Sequence, residues 1–568
     1  MNTSLLLILR RLRPPLIALI VAYSIAVAGF TLMPGTDDQG ETWHMSIFEA
    51  FYVVTYTAPT IGFGELPHEF SGAQRLWTAV TIYLTVLAWL YSVGTIISLM
   101  QDPTLRATII RSQLNRSVRQ MAEPFWLICG FGDSGRLLVR ALTERRRRVV
   151  VMDSNPERID ELNLKELGTY IPAFCSDARI PDNLLAAGLG HRWCMGIVAV
   201  TDDDHVNLKV AISSKLLNSR LPVFCRAENR AEAQNMDSFG TDTIMDPFLD
   251  FADRLTLAIR SPETHRVHEG LSGIPHTKLP ERSQPPSGRW IVCGYGRLGE
   301  AVHAALTAEG IDVVVVDENA YPPHSPAGTI RGKGTEAQTL QEAGLDHADA
   351  LLAGTADDAD NLSIIMTARA LKPDLYVAAR ENSLHNKALF QAASPDLVIQ
   401  ESYLIASRAL SVLNTPLLGE FLAMARRQGN DWNRTLAQSI AAVAGGTTPE
   451  SWTVRISRNR TPAVADALER QERVQLRSLG RDPRNRQRRL EIVPLMLQRD
   501  KDSVLLPEPD MPLALGDRVV FCGTGKALER MRSIVTNPNT LRYVETGEHR
   551  PEGWLWRRLT PRKRATPR

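Results

Sequence analysis

The chain has 568 residues, with 65 Lys and Arg against 63 Asp and Glu for a formal net charge of +2, and 44% of its residues are hydrophobic. At about 100–200 residues per domain, this length holds three or four domains, each able to bury its own core. The averages exclude a disordered or collagen-like chain and a transporter of many spans, but not a short membrane segment diluted by a large water-exposed part.

Two such segments lie near the start. No charge occurs from Pro14 to Thr36, and a second uncharged run extends from Trp77 to Met100; the apolar cores 16–33 and 77–100 approach the ~20 residues that a spanning helix needs. A secretory signal peptide is the alternative for the first run, with Arg10, Arg11 and Arg13 before it and Ala26-Val27-Ala28 as a cleavage-like site. The second run favours a retained pair. Arg10, Arg11 and Arg13 precede the first span and Arg106, Arg111, Arg116 and Arg119 follow the second, whereas the connection carries Asp37, Asp38, Glu41, Glu49, Glu65 and Glu69 against Arg75. The positive-inside rule then places both chain ends in the cytoplasm and the connection outside.

The connection is too apolar to be a simple loop. Residues 46–57 are expected to form a short helix, with Ser46 as N-cap and Glu49 completing a capping box. It runs into Thr60-Ile61-Gly62-Phe63-Gly64-Glu65. This segment resembles the potassium-channel signature, placed between two spanning helices as in two-span channels, with Pro59 departing from the usual hydroxyl residue. The resemblance implies that backbone carbonyls of Thr60, Ile61, Gly62 and Phe63 and the Thr60 hydroxyl replace the hydration shell of K+, four copies supplying the rings of oxygens. Glycines at 62 and 64 suit a backbone that turns its carbonyls toward one axis. A glycine-rich extracellular turn is the alternative. Gly94, inside the second span, is either a bending point of a gate helix or a site of close helix packing.

Beyond residue 123 the sequence repeats itself. Trp126-Leu-Ile-Cys-Gly-Phe-Gly-Asp-Ser-Gly-Arg aligns with Trp290-Ile-Val-Cys-Gly-Tyr-Gly-Arg-Leu-Gly-Glu, and Asp153 with Asp317; further on, Asn207-Leu208 aligns with Asn361-Leu362 and Glu228-Asn229 with Glu381-Asn382. A duplicated domain explains this. Each copy alternates short apolar strands (126–129, 149–152, 196–200 and 222–225 in the first) with helical stretches, the pattern of a Rossmann-like parallel sheet wound with helices. Gly130, Gly132 and Gly135, and again Gly294, Gly296 and Gly299, form GxGxxG between a strand and a helix, with an acid ending the next strand. The loop residues Phe131, Asp133, Ser134 and Arg136, and Tyr295, Arg297 and Leu298, would surround a pyrophosphate, and Asp153 with Ser154, or Asp317, would meet ribose hydroxyls. The acids would repel a 2′-phosphate, favouring NAD or an adenine nucleotide (ADP or ATP). A retained fold with an empty site is the alternative. Asp177, Thr201 and the acids after it, and Arg226 complete the first crevice; in the second, Gly332-Lys333-Gly334-Thr335 and Gly354-Thr355-Ala356-Asp357 stand in the matching places.

A two-span pore followed by two such domains resembles the prokaryotic ligand-gated potassium channels with tandem RCK (regulator of K+ conductance) domains. The resemblance implies a homotetramer, a gating ring of RCK units, a plasma-membrane location and a small C-terminal α+β lobe, here residues 490–497 and 510–522. Some members bind calcium through carboxylates after the fifth strand; Glu228 and Glu381 are candidates, although Arg226 replaces one expected acid. The expected organisation is a pore module at 1–105, a linker at 106–123, RCK units at 124–264 and 289–430 separated by a Pro-, Ser- and Gly-rich linker at 265–288, a connector at 431–472, the lobe at 473–545 and a basic tail at 546–568 that would touch anionic lipid.

The six cysteines lack metal-ligand spacing and suit a reducing compartment. Arg145–Arg148 closes a helix, where cations meet the negative dipole end, and no aromatic interleaving points to nucleic acid. The competing readings are a membrane-anchored NAD-dependent dehydrogenase, which lacks a recognisable acid/base set beside a nicotinamide, and a regulatory subunit of a separate potassium transporter. An enzyme is not expected.

Overall fold

The computed structural model describes residues 3–37, 39–64, 68–101, 103–164, 168–278, 284–319 and 325–548. Asp38, Glu65 and the basic tail from 549 onward, with its expected lipid contact, lie outside the described residues. The chain forms two compact units, Met1–Gln120 and Met121–Arg568.

In the first unit, helices Thr3–Leu32 and Gly72–Gln101 pack together, and the windows Arg10–Leu32 and Gly72–Gln101 are each long and apolar enough to cross a membrane. Both helices outrun the expected spans, the first because it continues through Pro14 and Pro15. The indole of Trp77 donates to the Ala26 carbonyl at 3.1 Å, tying one helix to the other. The short helix Ile47–Thr57 starts with the expected capping box: Ser46 Oγ accepts from the Glu49 amide at 3.3 Å, and Glu49 returns a carboxylate oxygen to the Ser46 amide at 2.8 Å. Its Ala50, Val53 and Val54 are buried with Ala26 and Phe30 of the first long helix. Most of the segment expected as the first linker is helical, Pro103–Arg119.

The second unit contains two six-stranded sheets whose neighbours are all parallel. The first runs, in spatial order, Ala173–Cys175, Arg148–Asp153, Phe125–Cys129, Cys194–Ala199, Val223–Arg226 and Thr243–Met245; the second repeats this order with Ile330–Arg331, Val313–Asp317, Trp290–Cys293, Ala350–Ala353, Tyr376–Glu381 and Leu397–Gln400. The order reverses beside the first strand of each sheet, which is where a doubly wound fold opens its crevice. The central strands Phe125–Cys129, Trp290–Cys293 and Ala350–Ala353 are buried along their length, and Cys194–Ala199 from Gly196 onward, because helices cover both faces. Cys129, Cys225, Cys293 and Cys522 are buried, and burial pushes the thiols of the last three up to about 12.

The two domains exchange their last helices. Helix Pro247–Arg260, which follows the first sheet, packs Phe248, Phe251, Ala252 and Leu255 into the core of the second, with Trp290, Leu298 and Val302. Helix Glu401–Asn414, which follows the second sheet, packs Ile405, Ala406, Ala409 and Leu410 into the core of the first, with Ile128, Leu138 and Leu142. The boundaries 124–264 and 289–430 therefore bound chain segments whose hydrophobic cores interleave.

Two segments expected as connections are folded. Helix Pro262–Ser272 occupies the start of 265–288, with Pro262 in its first turn and Val267 and Leu271, four residues apart, packed on Phe421 and Ile440. Within 431–472, helix Asn430–Ala444, strand Glu450–Arg455 and helix Pro462–Glu469 are present. That strand is an edge of the C-terminal antiparallel sheet, Glu450–Arg455, Arg518–Gly523, Ile492–Arg499 and Asp502–Leu505, so the lobe begins well before residue 473.

Candidate functional site

The segment after the short helix has an alternating backbone. Thr60, Gly62 and Gly64 have φ of 63°, 63° and 76°, whereas Ile61 and Phe63 are not among the positive-φ residues. Such alternation reverses every second peptide plane and brings successive carbonyls to one side of the chain. Glycine adopts this conformation freely, whereas Thr60 accepts a cost of about 1 kcal/mol. The Ile61 and Gly62 amides donate to the Tyr56 carbonyl at 3.0 and 3.1 Å, fixing the segment to the end of the short helix. Ile61 and Phe63 remain 69% and 67% exposed, so their own chain leaves these apolar side chains uncovered. At Gly94 the helix Gly72–Gln101 continues unbroken, and an added Cβ would meet nothing within 4 Å, so nothing in this unit requires a glycine there for packing.

Both glycine-rich loops sit at the crevice between the first and fourth strands. Gly130 has φ of 101°, and a Cβ on it would lie 2.8 Å from backbone atoms of Val200 and Thr201; a Cβ on Gly135 would collide with the Gly130 carbonyl. Gly294 repeats the positive φ at 93°, and Gly299 is pressed against Gly294 in the same way. Gly132 and Gly296 cap the helices Asp133–Glu144 and Arg297–Ala308 without a side chain, leaving the N-terminal amides for a ligand. Phe131 and Leu298 are buried beneath the loops, and Ser134 is also buried.

The acids ending the second strands close these loops. Asp153 Oδ2 accepts the Phe131 amide at 2.6 Å and Oδ1 accepts the Asn155 amide at 2.8 Å; Asp317 does the same with Tyr295 at 2.6 Å and Asn319 at 2.7 Å. Each carboxylate retains lone pairs for a hydroxyl. Ser154 is exposed beside the first acid. Thr201 Oγ1 is 2.8 Å from Asn207 Oδ1. Asp177 is engaged by the Arg179 guanidinium at 2.7 and 3.0 Å, and that bond holds its carboxyl below the usual range. Arg136 bonds Asp133 at 3.4 Å and Glu161, of the neighbouring helix Pro156–Leu164, at 2.5 Å.

One residue missed in the sequence belongs to this crevice. Arg158, in helix Pro156–Leu164, reaches Asp153 Oδ2 and Asp202 Oδ2, both at 3.5 Å, directly over Gly132. Its signal was present: an Arg one turn into the helix that follows the acid-tipped strand.

Arg226 faces inward. It is 8% exposed and binds Asp202 at 2.9 Å, Glu401 at 3.3 Å, and Glu228. Glu228 also pairs with Arg297 from the second glycine-rich loop, and Glu401 with Arg380. Both Arg297 and Arg380 lie over the Phe248 ring, at 5.3 and 4.9 Å. This cluster joins the two domains. Burial raises the Glu401 carboxyl above its ordinary range, although Arg380 and Arg226 oppose that shift.

The cation expectation finds no support here. Glu228 is already neutralised by two guanidiniums, Glu381 instead accepts from Gln400 Nε2 at 2.7 Å, and among the described residues no group of three or more His, Cys, Asp or Glu side chains is arranged to hold a metal ion. Nor are the two glutamates equivalent. Asp204 accepts from the amides of Glu228 and Asn229, whereas its counterpart Asp358 accepts from those of Asn382 and Ser383. Glu228 therefore matches Asn382, one residue away from the apparent Glu-Asn alignment, and Arg226 matches Arg380.

The TrkA-N domain model matches residues 126–247 and 290–401, each match ending at the first residue of an exchanged helix or beside it. Among curated proteins the chain is 26% identical over 155 residues to "Probable potassium channel protein 2" of Methanocaldococcus jannaschii, covering 26% of this chain and 45% of that protein. It is 28% identical over 109 residues to "Potassium channel protein 1" of the same organism, covering 18% and 33%. It is 22% identical over 218 residues to "Voltage-gated potassium channel Kch" of Escherichia coli, covering 38% and 51%. The matches thus span about half or less of the length of these relatives. Among solved structures, "GsuK Channel" aligns with 93% of this chain and 99% of its own at 16% identity and a TM-score of 0.48.

Proposed function

From a chain that carries two TrkA-N domains behind a pair of membrane-length apolar helices, we propose a potassium channel gated by nucleotide. Four copies surround one pore in the plasma membrane, with both chain ends on the cytoplasmic side, and Thr60 to Phe63 of each copy supply the oxygens that replace the hydration shell of K+. The observation that carries this reading is the alternating backbone at Thr60, Gly62 and Gly64, held by the short capped helix between the two apolar ones. Irregular backbone at membrane depth is stable only when buried in protein or lining a cavity, and the uncovered Ile61 and Phe63 suit packing against neighbouring copies. The potassium-channel names of the relatives agree with it.

Gating is assigned to the TrkA-N crevices, where free helix N-terminal amides meet phosphate and Asp153 or Asp317 meets ribose, so NAD, ADP or ATP is the ligand class. A ligand drives opening only through different affinity for the open and closed states. Purified protein in liposomes is expected to pass K+ in preference to Na+, with flux that changes on adding NAD or ADP and no longer does so in Asp153→Ala. Equal K+ and Na+ flux would refute the pore reading; selective flux indifferent to every nucleotide would refute the gating reading alone.

A further inference from the structure

In the first crevice, the place where a ligand phosphate would approach Gly132 is filled by the protein itself. A Cβ on Gly132 would lie 3.5 Å from both Arg158 Nη1 and Asp202 Oδ2. Asp202 takes one guanidinium on each oxygen, Arg158 at 3.5 Å on Oδ2 and Arg226 at 2.9 Å on Oδ1. Two guanidiniums converging in front of a helix N-terminus form the donor set that binds a phosphate, and a carboxylate satisfies them with less charge. The Asp202 side chain is 65% exposed against 9% for Arg226, so the acid is the member free to leave, while the arginine stays held by Glu228 and Glu401.

We propose that Asp202 is a built-in stand-in for the ligand phosphate: a nucleotide binds the first crevice by taking Arg158 and Arg226 from it. The inference rests on the nucleotide reading given above. It makes Arg158 a phosphate-binding residue and Asp202 a competitor that sets affinity. Because Arg226 is shared with Glu228 and Glu401, the exchange acts directly on the cluster that joins the two domains. The second crevice has no such stand-in, since Ala356 follows Thr355 where Asp202 follows Thr201.

The test is calorimetric titration of the full chain in detergent with ADP, AMP and adenosine. Asp202→Asn is expected to bind ADP and AMP about fivefold more tightly and adenosine unchanged, because only phosphate competes with the carboxylate. Arg158→Gln is expected to weaken ADP about fivefold, again without effect on adenosine, and to shrink the gain from Asp202→Asn when the two are combined. If the wild type binds ADP but Asp202→Asn leaves its affinity unchanged, or shifts adenosine equally, the stand-in is overturned while the nucleotide site survives. A wild type that binds none of the three overturns the nucleotide reading and this inference with it.

Discussion

In the first of the two parallel-sheet domains, the fully buried Asn207 accepts from the Thr201 amide at 3.1 Å and donates to the Arg226 carbonyl at 3.1 Å; in the second, Asn361 does the same with Thr355 at 2.9 Å and Arg380 at 3.0 Å. The acid-to-loop bonds of Asp153 and Asp317 are likewise duplicated. What differs is the charged layer above this frame: Asp202 and Asp133 in the first crevice, Ala356 and Arg297 in the matching places of the second. Duplication has thus preserved the bonds that shape the crevice while the charged side chains lining it diverged. Loop position 133 or 297 is acidic in one copy and basic in the other, and in each it reaches across to the partner domain, Asp133 to the Leu384 amide at 3.5 Å and Arg297 to Glu228.

The sharpest break in this comparison comes from the matched arginines. Arg226 serves three carboxylates, so Arg226→Ala takes a partner from buried Glu228 and Glu401 at once, leaving each with a single guanidinium, and is expected to cost about 3 kcal/mol, whereas Arg380→Ala removes one partner of Glu401 alone and should cost less. Urea unfolding of the two variants checks the order; equal losses would show that the clamp is shared evenly. The matched asparagines should behave oppositely. Asn207→Ala and Asn361→Ala each orphan a buried amide and a carbonyl and are expected to cost about 2 kcal/mol apiece. A difference between them larger than about 1 kcal/mol would mean that the frames are not equivalent.

A third contrast is titratable. His268 lies in helix Pro262–Ser272 where Leu422 lies in the corresponding helix Pro416–Ala425. Burial holds the His268 imidazole well below its ordinary value, and Arg254, Arg426, His265 and Arg408 add repulsion. A base with a depressed folded-state value contributes nothing above the unfolded value, near 6.5, and costs stability as pH falls below it, by about 1.4 kcal/mol per unit. Melts at pH 7.5 and 5.5 should show a loss of about 1 kcal/mol that His268→Leu removes; an unchanged slope would assign the acid sensitivity elsewhere.

The frame was legible because it is local. Each glycine fingerprint, its flanking strand and helix, and the acid on the next strand lie close in sequence, and the Ser46 capping box needs only three residues of separation. The exchanged helices were not legible, since an apolar face such as Phe248, Phe251 and Leu255 states that a helix is buried but not against which sheet. The proline-, serine- and glycine-rich composition of 265–288 concealed a helix because those residues gather after Ser272, and the composition was averaged over both parts. The false match of Glu228 to Glu381 came from an identical Glu-Asn pair, which carries less information than the amides that Asp204 and Asp358 accept.

That slip of one residue leads to the smallest contrast. Glu381 matches Ala227, so the second domain places a carboxylate where the first has a methyl group. It is 4% exposed, with Oε2 bonded to Gln400 and Oε1 buried without a hydrogen-bond partner, and burial raises its carboxyl above the ordinary range. An acid raised in the folded state carries a penalty at pH values above its folded-state value, and the penalty fades as pH falls toward the unfolded one. Glutamine keeps the acceptor for Gln400 and removes the charge. Glu381→Gln is therefore expected to stabilise by less than about 1 kcal/mol at pH 8 and by nothing near pH 5. Destabilisation at pH 8, read from melts at pH 8 and pH 5, would instead mean that the negative charge is used in the fold, with Lys387 as the cation facing it.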